Sequence, residues 1–160
     1  MAIVPSSAAI TCLLAVWVLA VPSAASEIRR IGQTDATSEC IGDPKTALCA
    51  VETFLACFGR RDRSLCRAVG VLSDVSFADQ DFDIEYELVR THVLRPSDIP
   101  ERLKGVEWAR PGLTEMLVRD RYCEPDLDRC VSPGWNLTSL TLENSERTWR
   151  VISWSGVDSP

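Results

Sequence analysis

Residues 81–88 read Asp81-Phe82-Asp83-Ile84-Glu85-Tyr86-Glu87-Leu88, and their strict alternation decides the fold class. Phe82, Ile84, Tyr86 and Leu88 fall on one face of an extended chain, with the acidic residues on the other. After Leu88 the phase switches, and Val89, Thr91 and Val93 become the apolar set. A β-bulge near Leu88-Val89 would keep one face inward. Upstream the period is helical: Ala47, Leu48, Val51, Phe54, Leu55 and Phe58 recur at three- and four-residue spacing. Asp43-Pro44 offers an N-cap followed by a first-turn proline, and Gly59 a stop. Asp62 offers the cap of a shorter second helix through Leu65, Cys66 and Val69, which Gly70 ends.

Downstream, residues 96–104 read as a loop with one helical turn. Segment 113–123 alternates as a strand with Met116, Val118 and Tyr122 on one side, and can also be read as a short helix. A strand at 136–143 follows, then a turn at Asn144-Ser145-Glu146. The last strand runs from Thr148 to Ser155, with Trp149 and Val151 on one face and Ile152 and Trp154 on the other. Helices first, then strands joined by hairpin-length connections, define an α+β class. The expected architecture is an N-terminal amphipathic helix and a short second helix packed on a curved antiparallel sheet of about four strands.

The chain has 160 residues, 46% hydrophobic and 25% charged, with a net charge of −6. That suits one folded domain and excludes a multi-span membrane protein, a coiled coil or a repeat array. An acidic balance, with an isoelectric point near 4.8, gives no field to neutralise phosphates and argues against nucleic acid as a partner. Residues 1–25 carry no charged side chain, and Ala8 to Val21 is apolar except for Thr11. This run of 14 residues is short for a membrane span and suits a signal peptide, with Ser23-Ala24-Ala25 as the cleavage site. The expected organisation is a signal peptide at 1–25, an exposed leader at 26–42, one disulfide-stapled domain at 43–156 and a tail at 157–160. It implies export to the periplasm or the extracellular space, with no stable membrane anchor after cleavage. An uncleaved N-terminal anchor is the alternative.

Apart from Cys12 in that segment, six cysteines remain, an even number that reads as disulfides in an exported chain. Cys123 and Cys130 flank a polar turn segment and would cross-link one loop. Cys57 and Cys66 lie symmetrically about Arg61-Asp62, the corner between the two helices, where antiparallel neighbours meet. That leaves Cys40 with Cys49. No Cys-x-x-Cys pair occurs and His92 is the single histidine, so neither a structural zinc site nor a thioredoxin-type centre is indicated.

The amphipathic first helix, the short second helix after Phe58-Gly59-Arg60-Arg61-Asp62, the long bent strands and the closing Thr148-Trp149-Arg150-Val151-Ile152 strand resemble a known family. In order and pattern, over about residues 44–155, they are similar to the nuclear-transport-factor-like (ketosteroid-isomerase-type, cystatin-like) α+β cones. The resemblance implies a curved sheet wrapped around the long helix to leave a pocket. It also implies a range of roles: small isomerases, dehydratases and non-catalytic binding domains. Catalytic residues vary across that family, and none maps onto a position here, so the fold alone does not assign a function.

His92 is the one side chain whose ordinary pKa lies near neutrality, and a pocket position would make it a general base. The bulge at Leu88-Val89 turns it away from the core, so it reads as a surface histidine. Tyr86, Tyr122, Asp83 and Asp120 offer phenol–carboxylate pairs for enolate stabilisation, with no spacing that selects one pair. The series Asp79, Asp81, Asp83, Glu85, Glu87 fails as a calcium loop, because the sixth and twelfth positions hold Ile84 and Arg90. It reads instead as a solvated acidic strand face. Trp108, Trp135, Trp149 and Trp154 read chiefly as packing residues, with a pocket lining or a sugar-stacking surface as the alternative. Asn136-Leu137-Thr138 matches a glycosylation sequon. Arg outnumbers Lys by 15 to 2, a GC-rich, bacterial coding pattern in which that sequon would be unused. No phosphate loop, nucleophile elbow or His-Glu-x-x-His motif occurs, and no cofactor is indicated. The leading expectation is a non-catalytic exported domain that binds a small apolar ligand or a protein partner on the concave side of its sheet. A pocket enzyme using His92, Tyr86 or Asp120, and a structural envelope-interaction module, are the alternatives.

Overall fold

The computed structural model describes residues 27–33, 40–72, 75–125, 127, 130 and 134–157. The signal-peptide reading of residues 1–25 lies outside them. No helix among the described residues is long and apolar enough to cross a membrane.

Thr46, with extended backbone angles, caps the first helix, α1 (Ala47–Gly59), its hydroxyl accepting from Cys49 N at 3.1 Å. The helix therefore starts one turn later than Asp43-Pro44 suggests, since Asp43 closes the preceding turn onto Cys40 O. Arg61 takes a left-handed conformation at the corner. Asp62 then caps α2 (Arg63–Ala68) through Ser64 N at 2.7 Å, and the Ser64 hydroxyl, donating to the same oxygen at 2.6 Å, is the main cause that holds its carboxyl below the usual range. Disulfides join Cys57 to Cys66 across this corner, Cys40 to Cys49 at the start of α1, and Cys123 to Cys130.

The strands are β1 (Arg29–Ile31), β2 (Asp83–Val93), β3 (Thr114–Cys123), β4 (Asn136–Ser145) and β5 (Thr148–Gly156). They form one open antiparallel sheet in the order β1-β2-β3-β4-β5. This is the α+β class, with five strands where the sequence pattern pointed to about four. The additional strand, β1, falls in the stretch read as an exposed leader, where Arg29-Arg30-Ile31 is too short to show a period. Its Ile31 is buried in the core. Two 3-10 turns, Pro96–Asp98 and Glu101–Leu103, fill the segment expected to hold one helical turn. The β4–β5 connection is tighter than Asn144-Ser145-Glu146. Both strands run on to leave only Glu146 and Arg147, each at positive φ, a two-residue hairpin turn.

Two irregularities set the shape of the sheet. Register shifts between Leu88 and Arg90 on β2, leaving Val89 as a bulge. Thr91 and Val93 stand opposite the inward-facing Met116 and Thr114, as a phase switch requires, yet Val89 and Val93 are about half exposed. The core on this strand stops at Leu88. On β5 the register shifts again, with Val151 opposite Leu142 and Ser153 opposite Thr141. Ile152 is the extra residue. This overturns the expected separation of Val151 from Trp154: the bulge returns Trp154 to the inner face, opposite Leu140. The core lies between α1 and that face, where Val51, Phe54 and Leu55 meet Ile84, Tyr86, Val118, Leu140, Leu142 and Val151.

The acidic series on the outer face of β2 is paired rather than solvated. Asp83 meets Arg30 at 3.0 Å, Glu85 meets Arg121 at 2.6 Å and Glu87 meets Arg119. The guanidinium groups of Arg119 and Arg121 lie over the ring of Trp135, at 5.2 and 4.6 Å from its centre. Cross-strand register puts β3 arginines opposite β2 carboxylates, a relationship invisible from β2 alone.

Candidate functional site

Phe54 and Phe58, one helical turn apart, project from α1 together with Leu55. Trp154 reaches them from β5, its ring centre 5.4 Å from Phe54 and 6.3 Å from Phe58. The Phe54 and Phe58 rings are 4.9 Å apart. Mutual tilts of 56°, 59° and 63° make the three rings a corner rather than a stack. Beneath them the sheet contributes Ile84, Asp120, Tyr122 and Thr138, and these groups enclose a cavity of about 120 Å³. Trp154 is 40% exposed and stands at its mouth.

Asp120 is the single charged residue of that lining, and it is only 4% exposed. Strand alternation puts it inward, in phase with Met116, Val118 and Tyr122. Its carboxylate accepts from the Thr138 hydroxyl at 2.7 Å and from the Asn136 amide at 3.5 Å. Burial pushes its carboxyl pKa up, and these two donors oppose the rise. The Tyr122 phenol is pushed up as well, first by burial and then by the Asp120 charge. Among the described residues no cation pairs with Asp120.

The other sequence candidates lie elsewhere. Tyr86 stands beside Asp120 in the β2–β3 register but outside the cavity lining. Its hydroxyl donates to Glu52 Oε1 on α1, which Arg29 Nη1 also reaches at 3.3 Å. Burial, and then the neighbouring Glu52, push the Tyr86 phenol far above its ordinary range. His92 lies on the outer face opposite Glu115, with Nε2 2.8 Å from Asp98 Oδ2. Asp98 also accepts from Arg95 N, and that bond, then the one to His92, hold its carboxyl low. Asp83 faces outward to Arg30. The fold thus brings Asp120 and Tyr122 to the cavity, sets Tyr86 opposite Asp120 with its hydroxyl committed to Glu52, and leaves His92 apart from them. Of the four tryptophans considered, Trp154 lines the cavity, Trp149 packs on the core, Trp135 stacks outside and Trp108 is 42% exposed.

Two functional-looking carboxylate partners escape sequence reasoning. Glu52 is the only charged residue between Ala47 and Gly59, which is the signal that marks it. Thr138 is noticed only as part of the sequon, whereas its hydroxyl is the close donor to Asp120. Glu85 lies near Cys123 and Cys130, but the two sulfurs are bonded to each other and offer no thiolate for a metal. No family model, no curated protein and no solved structure matches this chain.

Proposed function

We propose that this is an exported binding domain that takes a small, largely apolar ligand into the cavity between α1 and the sheet, without catalysis. The make-up of the cavity carries the reading. Aromatic and aliphatic side chains form most of the wall, and one buried carboxylate supplies the polar anchor. Ligand sites have this composition, a mostly apolar surface with few placed polar groups. Apolar cavities of about 150 Å³ hold benzene, so about 120 Å³ suits a ligand no larger than a single ring. The disulfides suit an oxidising compartment, periplasmic or extracellular, and the apolar N-terminal stretch supports the same destination. A helix laid on the inner face of an open, bulged antiparallel sheet supports a place among the nuclear-transport-factor-like cones.

Calorimetric titration with small single-ring compounds tests the reading, with Leu55→Trp as a variant that fills the cavity. Binding to the parent protein that disappears in the folded variant supports it. Binding that persists unchanged in Leu55→Trp would place the ligand elsewhere and sink it. One observation favours a second reading, a pocket enzyme of isomerase or dehydratase type. Burial raises the Asp120 carboxyl beside the Tyr122 phenol, which suits Asp120 to accept a proton from a bound ligand. Turnover of a bound compound that Asp120→Asn abolishes would move the conclusion to that enzyme.

A further inference from the structure

We infer that the ligand of this cavity is a small organic cation, an alkylated ammonium whose methyl groups face the aromatic corner and whose charge faces Asp120. The inference rests on the binding reading above and names the ligand's chemical class. Asp120 is buried, and Thr138 and Asn136 of β4 donate to its two oxygens without bringing a positive charge. Every other residue lining the cavity is neutral, so the carboxylate's field is directed into the space rather than cancelled across it. The contrast within the same fold is Glu52, a buried carboxylate that does have an arginine, Arg29, at 3.3 Å. Phe54, Phe58 and Trp154 add three aromatic rings to the lining, set at angles to one another around a space of about 120 Å³. A ring face and a carboxylate both attract a cation, and a weakly hydrated alkylammonium enters an apolar cavity at less cost than an inorganic ion. An anion would meet Asp120, and a neutral ligand would leave its charge unanswered.

The test uses the full disulfide-bonded protein and two probes of one shape, tetramethylammonium and the neutral tert-butanol. Calorimetry should show tetramethylammonium binding at least about tenfold more tightly. Asp120→Asn, which can still accept from Thr138, should weaken tetramethylammonium far more than tert-butanol and so erase that preference. Trp154→Leu keeps an apolar wall without a ring, and should weaken tetramethylammonium by about threefold or more relative to tert-butanol. If tert-butanol binds as tightly as tetramethylammonium, or neither substitution alters the preference, the cation inference is overturned and the apolar pocket stands. If neither probe binds, or both bind equally well to Leu55→Trp, the pocket reading falls with it.

Discussion

The Tyr86 hydroxyl donates to Glu52 Oε1 in the interior, so that a strand and the helix above it share one buried polar bond. Arg29 of β1 reaches the same oxygen, which makes Glu52 the point where three elements meet. Tyr86→Phe removes one donor and leaves a buried carboxylate with less solvation. It should cost about 1–3 kcal/mol in chemical denaturation. Combining it with Glu52→Leu should cost less than the sum of the single changes, because the second removes the acceptor that the first leaves unsatisfied. Strict additivity of the two would show that the bond carries no stability.

The same burial makes a spectroscopic prediction. The chain has two tyrosines, and both phenols are pushed above the ordinary value of 10.0, Tyr86 much further than Tyr122. For each, burial is the leading cause and a neighbouring carboxylate adds to it. In an alkaline titration of the folded protein, no tyrosinate absorbance should rise at pH 10.0 with the profile of a free phenol. The signal should come later, in two steps or together with unfolding. A normal single transition for either residue would mean that its hydroxyl reaches solvent.

Gly59 closes α1 against β2, and its carbonyl accepts from Phe82 N at 2.9 Å. A Cβ at this position would stand 2.6 Å from Phe82 O and 3.3 Å from the Ile84 side chain. The first neighbour is backbone and cannot swing aside. Gly59→Ala should therefore destabilise by about 1–3 kcal/mol, although alanine is the better helix former. A thermal melt suffices to check this, and an unchanged or raised midpoint would show that the helix end has room to shift.

These particulars also show what a sequence reveals. The helix face, the Asp62 cap, the β2 alternation and the bulge after Leu88 are local patterns, written within a few residues of where they act. Asp120 is inward because it shares the period of Met116 and Val118, which is likewise readable. What escapes is set by register between distant strands. Trp154 enters the cavity only because Ile152 is extra relative to Leu142, and no local pattern on β5 announces that bulge. Arg119 and Arg121 neutralise Glu87 and Glu85 only through the β2–β3 pairing. β1 is three residues long and held by its neighbour, so it has no period of its own. The cavity therefore joins a readable carboxylate to an aromatic wall that depends on tertiary register.

Asp120 makes the last prediction, and its sign follows from the direction of its shift. Burial raises its carboxyl pKa, with Thr138 and Asn136 opposing. The folded state therefore holds this proton more tightly than the unfolded chain does. The stabilisation is present in full below the ordinary value of 3.8 and is lost as pH rises through the folded pKa. Around the site, Tyr122 and Tyr86 titrate far above this window, and Glu52 with Arg29 is common to parent and variant. Asp120→Asn keeps the acceptor for Thr138 and carries no charge to desolvate. Its melting temperature relative to the parent should climb as pH increases from 3.8 toward neutrality and then level off. At neutral pH the variant should be the more stable protein, by roughly 2–8 °C for each 1 kcal/mol recovered. A parent that instead gains on the variant as pH rises would mean that the Thr138 and Asn136 bonds outweigh burial. The expected result has a functional meaning. A charge that lowers stability at the back of a cavity with an aromatic wall would support the proposal that Asp120 serves a ligand rather than the fold.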